Sequence, residues 1–190
     1  MIIGLGNRGP QYTSTRHNVG FQAVDLIAAK LNLRFRKPLF KNFQIGKGSY
    51  KGRWFAIVKP MTFMNHSGEI LGAVLRYTRT SVKEIVVICD TLDLPPGNCR
   101  IKRRGSSAGH KGLASIANVA ETEDFIRIYI GIGRPAEKDD IVRYVLSRPT
   151  DEEQRNLDQA LEKAAQAALD LLQEPIETIM SRLNKANGRH

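Results

Sequence analysis

Glu84-Ile85-Val86-Val87-Ile88-Cys89-Asp90 is the stretch on which the fold turns. Its unbroken apolar run has the length of a strand and lacks the alternation of a half-buried one, so it describes a strand covered on both faces. Such strands occupy the middle of parallel sheets, where crossover helices cover both sides. The run ends on the carboxylate of Asp90, and in open α/β sheets ligands bind in the crevice beyond the carboxyl ends of the strands. Asp90 is therefore a candidate functional group. Asp93 follows in the loop Thr91-Leu92-Asp93-Leu94-Pro95-Pro96-Gly97, and one of the two aspartates can be a simple loop cap.

Elements on either side agree with an α/β domain. Ile2 and Ile3 open a first strand that ends in Gly4-Leu5-Gly6-Asn7-Arg8-Gly9, a letter-for-letter match to the dinucleotide fingerprint. The match is a decoy. The fingerprint requires its third glycine to open a helix, whereas Pro10 to Thr13 extend a loop, and Asp25 falls inside a helical pattern instead of ending a second strand. The glycines are read as letting the backbone turn sharply and present Asn7 to a cleft. Phe43–Gly48 and Arg53–Val58 flank a turn and form a hairpin, which excludes an all-parallel sheet. Residues 98–104 make a basic strand, and in Phe125–Gly133 the residues Ile126, Ile128, Ile130 and Ile132 face away from Phe125, Arg127 and Tyr129. Helical spacing appears in Val24, Ile27, Ala28 and Leu31, in Ile70, Ala73, Val74 and Tyr77, and in Leu113, Ile116 and Val119. A short amphipathic helix spans Asp139–Leu146. Thr150-Asp151-Glu152-Glu153 is a capping box that launches a helix to about Gln173, and Pro175 separates it from a last one.

The 190 residues suit one domain, 1–190, with a continuous core. Cys89 and Cys99 lack metal or redox spacing and read as buried free thiols, as in a reducing cytoplasm. Nothing at the start reads as a signal peptide and no apolar stretch spans a bilayer, so the expectation is a soluble cytoplasmic protein without a membrane partner. The net charge of +10 is clustered: Arg34, Arg36, Lys37 and Lys41; Lys47, Lys51 and Arg53; Arg100, Lys102, Arg103 and Arg104. Clustered cations neutralise phosphates, which points to a polyanionic partner.

Candidate chemistry centres on Thr15-Arg16-His17-Asn18-Val19-Gly20-Phe21, where His17 sits at the seam between a loop and the first helix. Histidine exchanges protons near neutral pH, and a buried helix face behind it would hold the ring rigidly. Asn65 and Ser67 are N-cap types at the head of the second helix; Met61, Phe63 and Met64 beside them are read as an apolar substrate wall. Gly105 to Gly112 is rich in glycine and serine and is read as an anion-binding nest, without the spacing of a nucleotide-hydrolysing P-loop. Asn7, His17, Asn65, Asp90 and His110 thus lie at element ends, and nothing completes a zinc site. A carboxylate that orients an imidazole leaves its other nitrogen free to draw a proton from water, and there is no serine elbow. Hydrolysis of an activated ester by water is the simplest reaction.

The sequence resembles the bacterial-type peptidyl-tRNA hydrolases. The resemblance rests on Ile3-Gly4-Leu5-Gly6-Asn7, Thr15 to Phe21, Lys59-Pro60-Met61-Thr62-Phe63-Met64-Asn65-His66-Ser67-Gly68, Asp90 to Gly97, Gly109-His110-Lys111-Gly112-Leu113 and Arg127 to Pro135. It implies a single αβα domain with a mixed, mostly parallel twisted central sheet flanked by helices, and cleavage of the ester joining a peptide to the 3′ end of tRNA. It further implies His17 as the base and Asp90 as its orienting carboxylate. Asn7 and Asn65 would hold substrate or water, with Met64 along the peptide channel and His110 closing the far wall. Tyr12 and Asn18 match positions near the terminal adenosine and peptide backbone, and Lys102 and Lys138 match phosphate-gripping positions. No metal, organic cofactor or obligate protein partner is implied, and the expected state is a monomer. Three positions depart from the family pattern. Arg8 replaces proline, Lys111 replaces asparagine near the substrate, and Tyr129 stands where a second arginine often follows Arg127, both of these last being read as phosphate-contact positions. Two other readings are weighed. One is a non-catalytic RNA-binding protein of the same fold, of the splicing-factor type; the other is a dinucleotide-dependent oxidoreductase built on the glycine decoy. The retained base and carboxylate favour the hydrolase.

Overall fold

The computed structural model describes residues 1–135 and 141–185. Lys138 and the start of the helix expected from Asp139 lie outside the described residues. Among the described residues, twelve helices and strands follow in order: β1 (Ile2–Gly4), α1 (Val19–Lys30), β2 (Phe43–Tyr50), β3 (Arg53–Pro60), α2 (Leu71–Thr78), β4 (Val86–Thr91), β5 (Cys99–Lys102), α3 (Lys111–Ala120), β6 (Ile126–Gly131), α4 (Ile141–Val145), α5 (Asp151–Asp170) and α6 (Ile176–Lys185). Short 3-10 segments precede α1 and α2.

The six strands form one sheet in the order β2-β3-β1-β4-β6-β5. β3, β1, β4 and β6 are parallel to their neighbours, and β2 and β5 close the two edges antiparallel. The mixed, mostly parallel sheet is therefore observed, and the apolar run at 85–89 supplies its buried interior strand as expected. The hairpin is longer than the sequence suggested. Only Lys51 and Gly52 turn it, both at positive φ, which matches the twist of the flanking strands.

Strand alternation sorts the core into two layers. Ile2, Ile57, Val86, Ile88, Ile128 and Ile130 meet α1, α5 and α6 on one face, while Ile3, Val58, Val87, Cys89, Phe125 and Tyr129 meet α2 and α3 on the other. Both cysteines are buried, as expected, and neither forms a disulfide among the described residues. The Thr150 capping box forms in full and α6 follows Pro175. Tyr77 and Val119, placed on buried helix faces by spacing, are instead 47% and 45% exposed. Leu71, at the first position of α2 and outside that spacing, is buried at 1%.

Two glycines explain how α1 reaches its place. A Cβ on Gly4 would lie 2.1 Å from the carbonyl oxygen of Gly20, and one on Gly20 would lie 2.4 Å from that of Ile88. The backbone of α1 thus rests directly on the ends of β1 and β4, with Phe21 N donating to Leu5 O at 3.1 Å and Leu5 N to Ile88 O at 2.9 Å. Gly4 serves close packing and not the sharp turn expected of it, and of the three glycines at 4, 6 and 9 only Gly9 has positive φ.

Candidate active site

The carboxyl ends of β1 and β4 open into a cavity of about 530 Å³. Chain order places it there: β1 lies between β3 and β4, where the strand order reverses, which is the binding crevice of open α/β sheets. All five polar residues singled out at element ends line it: Asn7, His17, Asn65, Asp90 and His110.

Asn7 follows β1, and its backbone is clamped by one side chain. Asn7 N donates to Asn18 Oδ1 at 2.8 Å, and Asn18 Nδ2 donates to Asn7 O at 3.0 Å. Asn18 is 1% exposed and does not line the cavity; its amide is spent on the Asn7 backbone, next to the position for which the family match placed it near substrate. Asn7 Oδ1 accepts from Met64 N at 2.7 Å, which turns its Nδ2 toward the cavity as a donor. The loop carrying Met64 is fixed in turn by Gly68 N donating to Ser115 Oγ at 2.8 Å. Neither Asn65 nor Ser67 caps a helix. Ser67 Oγ donates to Met64 O, and the exposed Asn65 presents an amide that makes no hydrogen bond among the described residues.

Asp90 is 3% exposed, and its Oδ1 is shared by two imidazoles, His17 Nδ1 at 2.7 Å and His110 Nε2 at 3.0 Å. Burial pushes the Asp90 carboxyl up, but the facing His17 and His110 and their hydrogen bonds overcome this and hold it well below the ordinary carboxylate range. With Asp90 ionised, His17 Nδ1 carries a proton and Nε2 offers its lone pair to the cavity, an assignment made from the hydrogen bonds. His110 is more than a far wall. Its Nδ1 accepts from Gly112 N at 3.1 Å and Leu113 N at 3.2 Å, capping α3. Of the Gly105 to Gly112 amides read as an anion nest, that of Gly112 is thereby taken and that of His110 goes to Ser107 O.

The ligand atoms of His17, Asp90 and His110 lie within 4.8 Å of one another, the one arrangement among the described residues that could hold a metal ion. The hydrogen bonds argue against it. Coordination through His110 Nε2 would require a proton on Nδ1, facing the two backbone N–H groups that it now accepts.

The cavity walls are mostly apolar. Phe63, Met64 and Leu92 line one part, and Ile141, Val142, Val145 and Leu146 of α4 and its end line another. Met61 is not among them. The contribution of α4 was missed, although its paired apolar residues at 141/142 and 145/146 carry the signal. Arg16 anchors this wall. It is 5% exposed, donates to Ser147 Oγ and Arg148 O, each at 2.6 Å, pairs with Glu153 at 2.5 Å and stacks on Tyr144.

Tyr12 and Lys111 also line the cavity, and the exposed Lys111 has no acidic partner among the described residues. Lys102 lies beside it, in a smaller hollow with Arg100 and Ser106 that shares Thr91, Asp93, Ala108 and Tyr129 with the main cavity. Arg127 does not reach either. It is fully buried, gives Nη1 to Glu123 O and Phe125 O, and packs 4.0 Å from the Phe125 ring. No phosphate can reach it, because alternation places Arg127 with Phe125 and Tyr129 under α3. Tyr129 is 9% exposed and packs in that core, but unlike Arg127 it also lines both hollows, with Lys102 Nζ 6.0 Å from its ring centroid.

The comparisons with known proteins agree with this geometry. The family model for peptidyl-tRNA hydrolase matches residues 1–190. The chain is 44% identical over 184 residues to a peptidyl-tRNA hydrolase of Caldanaerobacter subterraneus subsp. tengcongensis, covering 97% of this chain and 98% of that one. It is 40% identical over 185 residues to that of Geobacillus kaustophilus, covering 97% and 99%. The crystal structure of peptidyl-tRNA hydrolase from Acinetobacter baumannii superposes with a TM-score of 0.91 at 32% identity, covering 96% of this chain and 93% of that one. On its fold, its cavity and its full-length similarity, the chain belongs to the peptidyl-tRNA hydrolase family.

Proposed function

We infer that the chain hydrolyses the ester between a peptide, or an N-blocked amino acid, and the 3′ end of tRNA, releasing free tRNA. The observation that carries this reading is the 2.7 Å contact of His17 Nδ1 with the buried Asp90, which leaves His17 Nε2 facing the cavity as a base. His17 takes a proton from water as the water oxygen attacks the ester carbonyl. The resulting imidazolium is stabilised by Asp90 and returns the proton to the departing ribose oxygen as the tetrahedral intermediate collapses. The products are a peptide carboxylate and a tRNA hydroxyl. The amide donors of Asn7 and Asn65 hold the attacking water or the developing oxyanion, as preorganised donors do.

The apolar wall of Phe63, Met64 and α4 takes the peptide, and Tyr12, which lines the same cavity, takes the terminal adenosine. Lys102 and Lys111 meet RNA phosphates, a role supported by their lining the two hollows with no carboxylate partner among the described residues. Arg103, in contrast, is already paired with Glu177. No helix among the described residues is long and apolar enough to cross a membrane. We place the protein in the cytoplasm, acting as a monomer without an obligate protein partner.

The test is incubation with N-acetyl-aminoacyl-tRNA, following release of the acetylated amino acid. Turnover that falls by at least about 10²-fold in His17→Ala, with tRNA affinity retained, is the expected result. Substrate left intact by folded, tRNA-binding wild-type protein would overturn the reading in favour of a binding role.

A further inference from the structure

We propose that His110 is a positioning residue, locked as the neutral Nε2–H tautomer, whose hydrogen bond to Asp90 divides the charge of that carboxylate and so keeps His17 available as a base at lower pH. The proposal rests on the hydrolytic reading above.

The lock comes from the backbone. His110 Nδ1 accepts the amides of Gly112 and Leu113 at 3.1 and 3.2 Å, so a proton on Nδ1 would face two donors and strip the first turn of α3 of its cap. The single ring proton then belongs to Nε2, which lies 3.0 Å from Asp90 Oδ1. A cap alone does not call for histidine, since asparagine, aspartate and serine fill that place best. An imidazole, however, accepts at one nitrogen while donating at the other, which lets one neutral side chain tie a helix end to a buried carboxylate.

The consequence for His17 follows from Asp90 having one oxygen in common to both rings. A carboxylate engaged by a single donor gives all its attraction to that donor's cation. A second, neutral donor withdraws part of that attraction. Its ring centroid lies 5.1 Å from that of His17, so a cationic His110 would also repel the imidazolium that forms during turnover, and the neutral tautomer avoids this.

Other charged or titratable groups around the three do not replace this role. Arg16, next to His17, is turned away to Glu153. Cys89 points into the opposite core layer from the sheet face under α1, and Arg127 is bonded to backbone carbonyls. Tyr12, Lys111, Tyr129 and the Asp93–Arg134 pair line the cavity without a hydrogen bond to Asp90.

Two variants separate the cap from the charge. His110→Asn keeps an N-cap oxygen but is too short to reach Asp90, whereas His110→Gln carries an amide donor toward Asp90 at the cost of the cap. The expected result is that His110→Asn melts near the wild type while the acidic limb of its kcat/KM profile moves to higher pH by about one unit, the scale of one hydrogen bond to a charged group. His110→Gln should bring the limb back toward the wild type. An unmoved limb in His110→Asn, with activity either retained or lowered equally at every pH, would overturn the proposal, as would a limb displaced equally in both variants.

Nitrogen-15 spectra of the wild-type rings test the tautomer without any turnover. They should show a protonated Nε2 and a bare Nδ1 on His110. A protonated Nδ1 in a hydrolysing wild type refutes the assignment of His110 alone, while a wild type that leaves the ester intact refutes the hydrolytic reading.

Discussion

Asp90→Asn separates the two things a carboxylate does for an imidazole, orienting it and stabilising its cation. Here the geometry preserves the first. Two N–H groups converge on Oδ1, from His17 at 2.7 Å and from His110 at 3.0 Å, so the amide oxygen must take that place and the amide nitrogen the other. His17 then keeps its Nδ1 proton and its free Nε2, and the loss is one of charge. A unit charge about 4 Å from the centre of an imidazolium is worth about 4 kcal/mol at an effective dielectric of about 20. Because His110 already draws on Asp90, about 3 kcal/mol is assigned to His17, which lowers kcat by about 10²-fold. The same energy should move the acidic limb of the pH–rate profile down by about two units, since the protonated base loses its counter-charge. Single-turnover hydrolysis of N-acetyl-aminoacyl-tRNA measures the chemical step free of product release. A fall of less than about threefold, or a limb that stays in place, would refute the assignment of Asp90.

Lys102→Ala should weaken tRNA binding and reduce the slope of log K against log salt by about one, with kcat at saturation unchanged; an unaltered slope removes Lys102 from the phosphate contacts. Gly20→Ala drives a Cβ against backbone atoms of Ile88 and Leu5 at 2.4 and 2.5 Å, so thermal unfolding should show a loss of about 2 kcal/mol or more, and near-normal stability would contradict the close approach of α1. Burial raises the Glu153 carboxyl, but Thr150 and Arg16 hold it below the ordinary range, so its stabilisation is present above that range and lost as pH falls through the folded value. The difference in Tm between wild type and Glu153→Gln should therefore shrink on acidification, and a constant difference would show that Glu153 is not so linked.

The fold was legible because its signals are local and periodic. The unbroken run at 85–89, the alternation from Phe125 to Ile132 and the turn near Lys51-Gly52 each impose a face or a reversal that no distant residue can undo. The edge placement of β2 and β5 follows, since antiparallel strands join a parallel centre most simply at its rims. The helix faces were less secure. Spacing put Tyr77 inward because an aromatic at i+7 from Ile70 sits on the apolar stripe, yet Tyr77 lies at the end of a two-turn helix, packing edge-on against Phe43 with Lys47 over its outer face.

Polar residues were harder, because their role depends on the distant partner each one takes. Asn7, His17, Asn65, Asp90 and His110 stood at element ends, and element ends at the carboxyl edge of a parallel sheet converge; their meeting in one cavity could be read from the chain. That Asn18 spends both ends of its amide on the backbone of Asn7, eleven residues away, could not. Nor could the fate of Arg127, whose charge suggested a phosphate contact although its place in the alternation put it beside Phe125 and Tyr129 in the core. The alternation was the better guide there, since a strand's faces are set by the whole sheet, and Arg127 stays buried with Nη1 on two carbonyls while Nε and Nη2 make no hydrogen bond among the described residues. Arg16 shows the same rule working for function. By reaching across 131 residues to Ser147 and on to Glu153, it ties the seam that holds His17 to the helix ends that carry the apolar wall, so the imidazole and that wall are held as one unit.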